Sequence, residues 1–128
     1  MKKWIVAVLA AAIPLTAVVA QDDPKPAPEV KDFMRHKLVH SQKIVEGLSQ
    51  ADFGLIAKHS QALSLLSQES TWQLIETPEY VEYSREFRRA ADSLTDAARH
   101  KNLEGATLGY LDVTMKCVDC HSYIRSVR

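Results

Sequence analysis

Residues 29–48, EVKDFMRHKLVHSQKIVEGL, decide the fold of this chain. Val30, Phe33, Met34, Leu38, Ser41, Ile44, Val45 and Leu48 recur every three or four positions, the spacing that puts residues on one side of an α-helix. The stretch therefore predicts an amphipathic helix from Glu29 to Leu48, weakened at its end by Gly47 and Ser49. The pattern continues downstream. Asp52 is a good N-cap for a second helix that turns Phe53, Ile56, Ala57, Leu63 and Leu66 toward the core. Thr77-Pro78-Glu79 starts a third, with a capping hydroxyl, a proline at the first helical position and an acid near the positive end; it should run to about His100. Asn102 can cap a fourth, continuing through Leu108, Leu111 and Met115 to about Arg125. Gly105 and Gly109 cost this last helix propensity unless they allow close packing.

Four helices of roughly 18 to 24 residues with mostly short links predict an all-α domain, an antiparallel up-down-up-down four-helix bundle. One link departs from the rest. Residues 70–77, STWQLIET, contain Trp72, Leu74 and Ile75, too apolar for a solvated loop, so something large should cover them.

Upstream, residues 1–20 read as a secretory signal, with Lys2 and Lys3 ahead of an apolar run from Trp4 to about Ala20. Pro14 interrupts the run, and a retained anchor would need roughly 20 predominantly apolar residues. Cleavage is expected before Gln21, leaving an exported, periplasmic or similarly placed domain that does not span the membrane. Residues 21–28, QDDPKPAP, form a Pro-rich linker, and residues 29–128 the helical domain. Lys plus Arg and Asp plus Glu number 16 each, and loss of the signal lysines leaves a slightly acidic product. No basic stripe with interleaved aromatics suggests nucleic acid.

The chemistry is concentrated near the C-terminus. Cys117-Val118-Asp119-Cys120-His121 is the C-x-x-C-H pattern for covalent attachment of one haem c. On a helix, residues three and four apart share a face, so Cys117, Cys120 and His121 can all meet one flat object. The sulfurs can form thioethers with the vinyl groups while His121 supplies the proximal iron ligand. Three other readings compete. A redox dithiol belongs near a strand in a βαβ pattern. Structural zinc needs a fourth ligand from His36, His40, His59 or His100, where no second clustered pair occurs. A plain disulfide would not need the adjacent histidine. Export, motif and helical context together favour haem.

A secreted helical bundle with C-x-x-C-H on its last helix resembles the cytochrome c-prime family and its low-spin, methionine-ligated relatives. Cys117, Cys120 and His121 match, as does Arg125, four residues after the histidine; Tyr123 is displaced by one residue from the family's aromatic. The resemblance implies a proximal histidine from the last helix and a distal residue from the first. It also implies a homodimer through the first two helices. The topology supports the same geometry, since the first helix begins at the end where the last one finishes.

Met34 and Leu38 lie within the core stripe centred near Ser41, whereas His40 falls about a quarter-turn off and His36 further, which argues against bis-histidine ligation. If Met34 binds iron, the haem is six-coordinate and the protein an electron carrier with an unidentified redox partner protein. If Leu38 covers an open iron, a diatomic gas such as nitric oxide or carbon monoxide becomes the ligand. The family's arginine has the distal residue four positions later; four after Arg35 stands Val39, so Leu38 is one residue short of that register. Trp72, Leu74, Ile75, Tyr80 and Val81 form the expected pocket wall, with ordinary helix packing the alternative for Tyr80 and Val81. Arg35 and Arg125 are candidate partners of the haem carboxylates, or else solvated charges. His36, His40 and His59 read as surface or boundary residues, and Glu79 to Arg89 as an exposed helix face. No catalytic constellation can be placed, so an electron carrier, not an enzyme, is the expectation.

Overall fold

The computed structural model describes residues 28–69, 72 and 75–127. The signal and all but the last residue of the linker lie outside these, as do Ser70, Thr71, Gln73 and Leu74. Among the described residues the chain forms four helices and no strand: α1 (Pro28–Gln50), α2 (Phe53–Leu66), α3 (Pro78–Arg99) and α4 (Leu103–Ser126). Such an arrangement is compatible with a four-helix bundle. Pro28, assigned to the linker by its composition, instead opens α1, where a missing N–H costs nothing. At 14 residues α2 is shorter than predicted. It stops at Ser67, whose backbone N–H reaches the carbonyls of Leu63 and Ser64.

The short links are built from overlapping stop and start signals. Ala51 and Lys101 have positive φ values of 52° and 55°. At the end of α1, Asp52 N–H reaches Gly47 O and Ala51 N–H reaches Leu48 O; after α3, Asn102 N–H reaches Ala97 O and Lys101 N–H reaches Ala98 O. This pair of bonds closes a helix C-terminus. The residue that ends one helix then caps the next. Asp52 Oδ1 accepts from Leu55 N–H at 2.9 Å, and Asn102 Oδ1 from Gly105 N–H at 2.8 Å. Thr77 Oγ1 caps α3 by accepting from Tyr80 N–H at 3.3 Å.

Ile44, Ile56, Leu63, Phe87, Ala91, Leu94 and Val113 are buried at the centre. Two hydroxyls accompany them. Ser60 Oγ and Thr95 Oγ1 lie 2.7 Å apart across α2 and α3, and each is also within hydrogen-bond distance of the carbonyl four residues earlier in its own helix, so that one hydroxyl donates across the pair and the other donates to its carbonyl. Between α3 and α4 the backbones approach closely, because a Cβ on Gly109 would lie 3.1 Å from Leu94 Cα. Tyr83 stacks on Tyr123 and Lys116 pairs with Glu86 at 3.0 Å in the same interface. Gly47 does likewise for α1, where a Cβ would meet Ile56 Cγ1 at 2.8 Å.

By contrast α1 and α4 barely touch. Ser41 Oγ and Tyr110 OH, 2.9 Å apart, bridge them. This open side of the molecule holds the site. No helix among the described residues is long and apolar enough to cross a membrane.

Candidate functional site

Where α1 and α4 stand apart, a cavity of about 340 Å³ opens between them, within the usual size range of ligand pockets. From α1 it is lined by Met34, Lys37, Leu38 and Ser41, and from α4 by Tyr110, Val113, Thr114, Lys116, Cys117, Cys120, His121 and Ile124. Leu63, Trp72, Tyr80 and Phe87 close the back. Helical spacing explains the α4 wall. Cys117, Cys120 and His121 fall on one turn and its successor, so both sulfurs and the imidazole share the face turned toward the gap.

Trp72 is the covering residue of the link between α2 and α3. It is buried, its Nε1 donates to Ser84 Oγ at 2.7 Å, and its backbone carbonyl accepts from Tyr80 OH. Its ring meets Phe33 edge-on at 6.3 Å and Phe87 at 5.1 Å between centroids. Tyr80 is buried with it, whereas Val81 is exposed and belongs to no wall. Ile75 packs partly against the core, and Leu74 lies outside the described residues.

Both cysteines are free thiols. Burial, the dominant influence, pushes both thiols above their ordinary range, against an opposing pull from the Lys37 charge. Redox-active C-x-x-C pairs show the reverse, a lowered value that exposes a reactive thiolate. Burial, followed by the charges of Lys37 and Arg125, lowers the His121 pKa, keeping its ring in the neutral form that can donate an electron pair. Met34 is half-buried and packs against the core, while Leu38 sits at the cavity rim with 56% of its surface exposed.

Two thiols and a neutral imidazole on adjacent turns, facing an aromatic-walled cavity, fit the donor set of a thioether-linked haem. Arg35 and Arg125 stand outside the cavity lining. Both are exposed, neither lines the cavity, and Arg125 donates to Ser122 Oγ at 3.0 Å.

Lys37 is the cavity residue that sequence reasoning missed. Its Nζ lies 3.5 Å from the Trp72 ring centroid and 4.4 Å from that of Phe87, and burial pushes its pKa down to about 8. The signal was present in the spacing: Met34, Lys37 and Ser41 stand at i, i+3 and i+7 on one stripe. A charged residue is ordinarily assigned to solvent, and a long stem that carries it inward defeats that rule.

A second cluster lies on the outside of α1 and α2. His40 Nδ1 and His59 Nδ1 are 2.8 Å apart, and the His36 ring lies 4.9 Å from that of His40. Among the described residues no group of three His, Cys, Asp or Glu side chains converges as a metal site.

Comparison with known proteins returned no matching family model, no matching curated protein and no matching solved structure.

Proposed function

We propose that this chain is an exported monohaem c-type cytochrome that carries electrons, built as an antiparallel up-down-up-down bundle of the cytochrome c-prime kind. The observation that carries the reading is the position of the C-x-x-C-H turn, which forms one wall of an apolar cavity between α1 and α4. Contacts between α3 and α4 support the topology, since Tyr83, Glu86 and Leu94 meet Tyr123, Lys116 and Gly109 in reverse order.

Cys117 and Cys120 would hold the group through their sulfurs, and His121 would supply an imidazole ligand to its iron. When bound, haem supplies a one-electron iron couple. Trp72, Tyr80 and Phe87 exclude water from the back of the cavity, lowering the local polarity that the couple experiences. Met34 is the proposed distal ligand, because it faces the cavity from α1 and is more deeply set than Leu38. A thioether ligand there would raise the potential and compete with exogenous ligands. The second reading, an open iron that binds nitric oxide or carbon monoxide, rests on Leu38, whose apolar side chain reaches the same cavity.

Absorption spectra of the matured protein, oxidised, reduced, and reduced under carbon monoxide, separate the two. Electron transfer requires a low-spin reduced spectrum that carbon monoxide scarcely changes and that turns high-spin in Met34→Ala. A high-spin spectrum that shifts readily with carbon monoxide in the unmodified protein makes Leu38 the distal residue and gas binding the function.

A further inference from the structure

Two lysines line the cavity, and their surroundings differ. Lys116 is neutralised by Glu86 at 3.0 Å. Lys37 has no carboxylate within ion-pair distance among the described residues. Its ammonium rests on the faces of Trp72 and Phe87, whose rings attract a cation without cancelling its charge. Below its pKa of about 8, Lys37 therefore holds a positive charge in an apolar cavity shared with Met34 and His121, where a Coulomb interaction is far stronger than in water.

We propose that Lys37 sets the reduction potential of the haem iron: its fixed ammonium disfavours the oxidised form, which carries one more positive charge, and so raises the potential. The assignment rests on the haem reading above. Reduction adds one electron from the redox partner to the iron, and no bond or proton need move at Lys37. The ammonium acts through charge alone, so it is a positioning residue and not a ligand. Arg125 contributes less because its charge is exposed and screened.

The test is potentiometric titration of the mature haem-loaded protein, its Lys37→Met and Lys37→Arg variants, and Lys31→Met, an exposed lysine of α1 outside the cavity lining, as a control, each first checked by absorption spectrum. Lys37→Met should lower the ratio of reduced to oxidised protein at fixed poise about tenfold, ~59 mV for a one-electron couple. Lys37→Arg, which keeps the charge, should stay within about threefold, as should Lys31→Met. A Lys37→Met ratio within twofold of the unmodified protein overturns the assignment, as does an equal fall in Lys37→Arg. A change of spin state in Lys37→Met would make Lys37 an iron ligand and overturn it as well. A preparation without haem bands fails at the spectrum, which separates failure of the haem reading from failure of the assignment to Lys37.

Discussion

At the scale of single residues, His40 and His59 make a contact that depends on proton count. With Nδ1 atoms 2.8 Å apart, at least one ring must be neutral to accept from the other. Burial is the largest cause lowering the His40 pKa, followed by the neighbouring charges of His36, His59 and Lys58; for His59 burial again leads, then Lys58 and Lys43, opposed by Glu46. The unfolded chain holds these protons up to about pH 6.5, whereas the folded chain releases them at lower pH. Below about pH 6.5 the unfolded state therefore binds more protons, so stability is lost on acidification and fully regained above that value. Urea midpoints measured from pH 7.5 down to 5.5 should fall for the unmodified chain and fall less for His59→Asn. Equal slopes would remove the pair from the pH response. The contact was not legible in the sequence. Spacing places His36 and His40 one turn apart on α1, but the approach of His59 depends on how α2 packs.

Helices were easier to read than the orientation of their side chains. Local signals for the starts of α2, α3 and α4 are chemical, a short side-chain oxygen at Asp52, Thr77 and Asn102, and each serves as the cap. The stops were harder, because the left-handed positions are taken by Ala51 and Lys101 where glycine is the usual signal. Lys101→Gly, which removes the Cβ from a left-handed site, should raise stability by about 1 kcal/mol, seen as a higher urea midpoint with an unchanged slope. A loss of stability would mean that the Lys101 backbone is unstrained. In α4, Leu108, Leu111, Met115 and Val118 are exposed, while Val113 and Cys120 are buried on another face. Apolar residues on more than one face leave periodicity with no single stripe to follow. What fixed the inner face of α4 was the C-x-x-C-H motif, with Gly109 bringing its backbone against Leu94.

Across the whole molecule, three of the adjoining helix pairs pack and the fourth is held apart. Cores of globular domains are ordinarily close-packed, so a gap of about 340 Å³ beside Cys117, Cys120 and His121 marks the candidate site. The motif and the helix count were legible in the sequence because both depend on spacing along the chain. The unequal packing and the inward reach of Lys37 were not, because they depend on how helices distant in sequence are set against each other. The central claim, that Cys117 and Cys120 carry one haem, is tested most directly by the intact mass of protein matured in a host that attaches haem c, measured after denaturation. The account predicts a single haem increment that persists in denaturant and maps to a peptide containing both cysteines. An unmodified mass, whether with two thiols or with the two hydrogens lost to a disulfide, would contradict it.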